Sequence, residues 1–154
     1  MRTRTILASV AAFFVGVGLC SADDPQMGTW KLNEGKSKLN PDTTKNTSVV
    51  YAPAGDSVKV TVEGVDKDGK PSHNEWTGKF DGKEYAVTGD PTSDMRSYKK
   101  IDDRTLEVKA TKGGKVTLAG KIVVAPDGKS RTLSLTGTDA SGKKVTSTIV
   151  YDKQ

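Results

Sequence analysis

From residue 28 onward, apolar and polar side chains alternate by two, and no stretch keeps the three-to-four spacing of a helix. Val58, Val60 and Val62 are separated by Lys59 and Thr61, and Leu106, Val108 and Ala110 by Glu107 and Lys109. Val116, Leu118, Gly120, Ile122 and Val124 share one parity. So do Leu133 and Leu135 among Thr132, Ser134 and Thr136, and Val145, Ser147, Ile149 and Tyr151 near the end. Valine and threonine suit the half-buried, pleated surface of a strand. The pattern predicts ten strands, over 28–32, 46–52, 57–65, 72–80, 83–88, 94–101, 104–111, 115–125, 129–138 and 143–152.

The breaks between these runs are Asp68-Gly69, Asp81-Gly82, Asp102-Asp103, Gly113-Gly114, Asp127-Gly128 and Ser141-Gly142. Asp-Gly and Gly-Gly supply the positive φ that tight hairpins need. Turns at such short intervals join sequence neighbours, so the prediction is all-β: an up-and-down antiparallel meander of about eight to ten strands. An open sheet of that size would leave two long edges and one bare face. Closure into a barrel removes both problems and is preferred over a two-sheet sandwich. Residues 33–45 do not fit the meander. With Gly35, Pro41, Asp42 and only one large apolar residue, Leu39, they read as a loop that crosses or caps one end.

The first 22 residues follow a different pattern. Arg2 and Arg4 precede an apolar run from Ile6 to Leu19, and Ser21-Ala22 close it. Charge, short apolar stretch and small-residue exit match a secretory signal peptide, with cleavage expected after Ala22. The run is shorter than the roughly 20 residues of a spanning helix. A lipoprotein cysteine normally follows a small residue, whereas Cys20 follows Leu19, so Cys20 is expected to leave with the leader. Residues 23–154 then form one domain, exported to the periplasm or secreted.

That division changes the composition. Residues 23–154 contain no cysteine, one histidine, seven aromatics and three arginines, and the balance of 22 basic against 19 acidic residues is +3 instead of the +5 of the whole chain. Disulfide scaffolds, cysteine zinc sites and histidine-pair mechanisms are excluded. The basic residues are mostly lysines interleaved with Asp and Glu, which reads as a solvated surface and argues against nucleic-acid binding. No cofactor is expected, and no stable membrane insertion.

Gly28-Thr29-Trp30-Lys31-Leu32-Asn33, opening such a meander, resembles the Gly-x-Trp start of the calycin superfamily of lipocalins and fatty-acid-binding proteins. The longer stretch GTWKLNEGKSKLNP resembles small exported bacterial lipocalin-like proteins. The resemblance implies a lipocalin-like barrel in which Trp30 plugs the closed end. Fatty-acid-binding proteins often end in an Arg-x-Tyr that helps hold a ligand carboxylate. Here Tyr151 matches, but Ile149 stands at the arginine position, and the two-helix lid is missing. The resemblance therefore implies the container and not that mode of binding.

Four clusters could carry chemistry. His73 and Glu75 share a strand face, but Trp76 and Phe80 have the opposite parity and claim the interior, so His73 and Glu75 are expected in solvent. Asp66, Asp68, Gly69 and Glu75 can be laid over a calcium loop, but Gly64 stands at its first position and Pro71 at its eighth, and a hairpin turn explains the same residues. Asp102-Asp103 likewise reads as a turn. Arg96-Ser97-Tyr98 is open: one register places Arg96 and Tyr98 inside, where Arg96 could anchor an acidic ligand, and the other places Met95 and Ile101 inside.

The inward set is Val58, Val60, Val62, Trp76, Phe80, Tyr85, Val87, Leu106, Val108, Leu118, Ile122, Leu133, Leu135 and Ile149. Within it, Trp76, Phe80 and Tyr85, with Arg96 and Tyr98, form the candidate ligand-binding residues. No nucleophile, base and orienting group can be assembled, so an enzyme is not expected. The expected function is that of an exported, non-enzymatic barrel holding a small apolar or amphipathic ligand. The alternative is a cell-envelope interaction or structural module whose barrel is filled.

Overall fold

A computed structural model of the protein describes residues 24–138 and 141–154; the leader, its cleavage point and Cys20 lie outside them. The ten strands are β1 (Gly28–Leu32), β2 (Lys45–Ala54), β3 (Ser57–Val65), β4 (Pro71–Gly78), β5 (Tyr85–Thr88), β6 (Met95–Asp102), β7 (Thr105–Lys112), β8 (Lys115–Val124), β9 (Ser130–Thr138) and β10 (Lys144–Lys153). Each pairs antiparallel with its sequence neighbours, and β1 also pairs with β10, through Trp30↔Lys153 and Leu32↔Tyr151. The sheet is thus a closed barrel, and closure leaves no unpaired edge. Among the described residues, the one helical element is a 3-10 turn at Glu34–Lys36, and no helix is long and apolar enough to cross a membrane.

The turns form as the Asp residues dictate. Asp66 Oδ1 accepts from the amides of Asp68 and Lys70 at 2.8 and 2.9 Å. Asp81, Asp102 and Asp127 each accept from the amide two residues on, at 2.9–3.0 Å. These Asx turns commit the Asp66 and Asp102 carboxylates to backbone amides, while Glu75 contacts Lys59 and His73 instead. Gly128 takes a φ of +71° in such a turn, a value that β-carbon sterics make expensive for other residues. Gly120 is needed for a different reason: a β-carbon there would sit 2.0 Å from the Ser134 carbonyl oxygen across the β8–β9 ladder.

Inward residues divide by depth. Trp30, Val60, Leu106, Ile122, Val124 and Tyr151 are essentially buried, whereas Leu133, Leu135 and Ile149 are only partly buried against the same core. The buried base lies at the end where the strand turns 55–56, 79–84, 103–104 and 125–129 gather. The N-terminal segment seals it from below: Trp30 Nε1 donates to the Gln26 carbonyl at 2.9 Å, and Gln26 Nε2 donates to the Arg104 carbonyl at 3.2 Å. The plug role that the Gly-x-Trp resemblance implies for Trp30 is the role it occupies.

Two expectations need correction. The first half of the 33–45 segment does not cap an end; it continues the wall beside β10. Asn33 N donates to the Val150 carbonyl, Lys38 pairs with Thr148, and Ser37 Oγ accepts from Val150 N at 2.9 Å. The strand expected over 72–80 stops at Gly78, and Phe80 reaches the core from the following loop. A β-carbon on Gly78 would lie 2.6 Å from the Tyr85 ring and 2.7 Å from Trp76, so the missing side chain leaves the space in which these two rings pack.

Candidate functional site

The five candidate ligand residues come together on the inner face of β4–β6. Tyr98 packs edge-on against Trp76 at 4.7 Å between ring centroids and tilts against Phe80 at 5.9 Å. Trp76 meets Tyr85 edge-on at 5.7 Å. Trp76 Nε1 donates to the Arg96 carbonyl at 2.9 Å, and Tyr85 donates its hydroxyl to Asp81 at 2.8 Å. Trp76, Arg96 and Tyr98 are buried, Phe80 and Tyr85 partly so.

The register of β6 is therefore the one with Arg96 and Tyr98 inside; Ile101 is 47% exposed. Arg96, however, already has a counter-ion. Its Nη2 donates to Asp90 Oδ2 at 3.2 Å and to Asn74 Oδ1 at 3.3 Å. Asp90 sits on the loop between β5 and β6 and also accepts from Ser93 Oγ and from the amide and hydroxyl of Thr92. Burial pushes its carboxyl upward, but those hydrogen bonds and Arg96 outweigh burial and hold it below the ordinary carboxylate value.

A second polar group lies deeper. Arg131, at the base end of β9, is 1% exposed. Its guanidinium carbon lies 4.6 Å from the Trp30 ring centroid, 4.6 Å from Tyr51 and 5.3 Å from Tyr151. Lys153 approaches Trp30 as well, at 5.1 Å, and donates to the Pro25 carbonyl. Tyr51 links the two arginines, since its ring also packs on Tyr98 at 6.1 Å and on Phe80 at 6.3 Å. Burial first, then Tyr98, raises the Tyr51 phenol far above its ordinary value, although Arg131 and Arg96 pull the other way. Burial likewise raises Tyr151 to about 12. Both phenols are neutral donors at any physiological pH.

At the opposite end, an open groove of about 400 Å³ runs across β8 and β9, lined by residues such as Val116, Leu118, Gly120, Gly137 and Lys144. None of the five candidate ligand residues lines it. It draws on both faces of the strands, so it is a feature of the rim, and Leu118 belongs to the rim more than to the core.

The outer face carries the remaining chemistry. His73 pairs with Glu63, and its Nε2 lies 3.4 Å from Glu75, which Lys59 also contacts at 3.2 Å. The hydrogen bond that the ring donates to Glu63 leads in raising the imidazole's pKa above its ordinary value. A raised folded value means that the pair stabilises the fold below the ordinary histidine pKa and stops doing so as pH rises through the folded one. His73 should therefore titrate above an ordinary histidine by NMR, and nearer to one in Glu63→Gln. An unshifted midpoint in the unaltered protein would show that the pair does not form.

Tyr51, Asn74, Asp90 and Arg131 escaped the sequence reading. For Arg131 a signal existed: it shares parity with Leu133 and Leu135, which were placed inside.

A solved structure with the same architecture, described as EF1p2_mFAP2b bound to DFHBI, superposes with a TM-score of 0.50 at 12% identity, over 84% of this chain and 94% of that one. The fold is calycin-like. No protein-family model matches the sequence, and no curated protein does. The calycin-like barrel supplies walls, a sealed base and an interior of mixed polarity. Within it, Arg96 is paired with Asp90 from the β5–β6 loop.

Proposed function

We propose that this protein is an exported, non-enzymatic binding protein that holds one small apolar or amphipathic molecule inside its barrel. The observation that carries this reading is the asymmetry of the interior. Trp30 and the residues around it are buried behind a sealed base, while the inward side chains Leu133, Leu135 and Ile149, farther along β9 and β10, are only partly buried. Sites for small molecules tend to be such concave, mainly apolar spaces with a few polar groups. That a protein with this fold is bound to DFHBI supports a binding role without indicating the ligand. Export is supported by the leader pattern of residues 1–22.

The competing reading, a filled barrel acting in the cell envelope, draws on the mutual packing of Tyr51, Trp76, Phe80 and Tyr98. Titration with the neutral dye Nile red decides between them. Saturable uptake at one dye per chain is expected, with quenching of tryptophan emission that is largely lost in Trp76→Phe. Native mass spectrometry of protein taken from the exported fraction should show a retained small molecule. A chain that is always empty and takes up no dye would leave the filled barrel as the answer.

A further inference from the structure

Among the described residues, three large apolar side chains are exposed: Ile101, Val116 and Val123. Val116 stands at the rim beside the groove. Ile101 and Val123, 47% and 44% exposed, lie lower on the outer wall and belong together. Ile122 and Val124 face the core, so Val123 between them points outward. Its cross-strand partners are Thr105 on β7 and Thr132 on β9. Thr132 in turn pairs with Val150 on β10, and Thr105 with Asp102 at the β6 bulge that contains Ile101. A row of isoleucine, valine and threonine therefore crosses the outside of β6–β10.

The next row toward the open end is charged. Lys99, Glu107, Lys121 and Ser134 stand opposite one another across β6–β9. Glu107 lies between two lysines, yet among the described residues no ion pair joins it to either. The outer face of β3–β4 differs, because its charges pair among themselves: Lys59 with Glu75 and His73 with Glu63. On β6–β9 the charges are left for another surface, and the apolar row beside them is uncovered.

A second copy of the same wall fits both rows. Two copies facing each other about a two-fold axis that runs along the strands, between β7 and β8, place each β7 over the other copy's β8. Val123 then covers Thr105 of the second copy, and Ile101 covers its Thr132. Because Glu107 and Lys121 are cross-strand partners, the same axis sets each of them against the opposite charge, twice over. We propose that the outer wall of β6–β9 is a self-association face, through which the protein forms a two-fold dimer with Glu107 of each copy against Lys121 of the other. The face spans about 14 Å across four strands and about 13 Å along them, roughly 400 Å² once side chains are included. That is about half of the roughly 800 Å² that a standard interface buries per partner, so the dimer is weak and reversible, with a dissociation constant of roughly 10–100 μM. The proposal does not depend on what the barrel holds.

Sedimentation equilibrium of protein from the exported fraction should show the average mass rising from one chain toward two between about 5 and 500 μM. In the unaltered protein, the amide resonances of Thr105, Glu107, Lys121 and Val123 should shift over that range, and those of Lys59 and Glu75 should not. Val123→Glu, at an exposed position, should weaken the dimer by about tenfold or more, since it sets a carboxylate against the apolar row. Glu107→Lys and Lys121→Glu should each weaken it similarly when alone, because like charges then meet at both symmetric contacts. Mixed in equal amounts, these two variants should associate again, each copy offering the charge that the other lacks. Repulsion within each chain is the same alone and in the mixture, so the recovery reads the contact between copies. A mass of one chain throughout, a Val123→Glu variant that dimerises as well as the unaltered protein, or a mixture no better than either variant would each overturn the proposal.

Discussion

Trp30→Ala should lower the unfolding free energy by about 3–5 kcal/mol in a denaturant titration, the range for truncating a large buried aromatic side chain. Three losses coincide at this position. The indole is wholly buried, so truncation opens a cavity at the sealed base. Its Nε1 donor ties the N-terminal segment to the barrel through Gln26, and its ring is one of the faces against which Arg131 is placed. Small domains have about 5–15 kcal/mol in total, so the variant should be partly unfolded at modest temperature. Trp30→Phe, which keeps an aromatic face and loses the donor, should fall between the two. A loss below about 1 kcal/mol for the alanine variant would mean that the base is closed by something other than this side chain.

The next largest effect is expected at Asp90. Removing one partner of a buried ion pair costs about 3–5 kcal/mol because the other charge is stranded. The side chains of Arg96 and Asp90 retain 11% and 15% exposure, which places Asp90→Asn near the lower end, about 3 kcal/mol. The pH dependence carries a sign. A carboxyl held below its ordinary value stabilises the fold at any pH above that ordinary value, and the stabilisation disappears as pH falls through the folded one. The unaltered protein should lose stability along that acid limb, and Asp90→Asn should be less stable at neutral pH but flatter below it. Parallel acid limbs in the two proteins would show that the pair adds nothing.

Both effects sit on positions that the one-dimensional pattern treats unequally. Trp30 announces itself through Gly28-Thr29-Trp30 at the start of a meander. Asp90 looks like one more turn aspartate, and only the fold of the β5–β6 loop over β6 brings its carboxylate to Arg96. The same contrast holds inside the barrel. Val58, Val60, Val62, Leu106 and Val108 were legible as inward because alternation by two is a property of the strand itself. Residues 95–101 were not, because either parity puts apolar side chains on the inner face. The cross-strand pairs Tyr85↔Arg96 and Tyr98↔Val108 resolve the ambiguity.

Read alone, the sequence determined the number and order of the strands, the turns between them and which parity of most strands is apolar. All of these follow from local chemistry: two-residue periodicity, β-branched side chains and the Asp and Gly residues that form tight turns. It also determined that the chain is a meander, because such turns can join only neighbours. Tertiary structure alone decided what meets across the barrel. Pairing of β1 with β10 brings Trp30, Tyr51 and Tyr151 around Arg131, though these four residues are spread over more than a hundred positions. The closed sheet also gave Arg96 a counter-ion and left Arg131 without one. Cross-barrel distances depend on register and curvature summed over every strand, and no short window of sequence contains that sum.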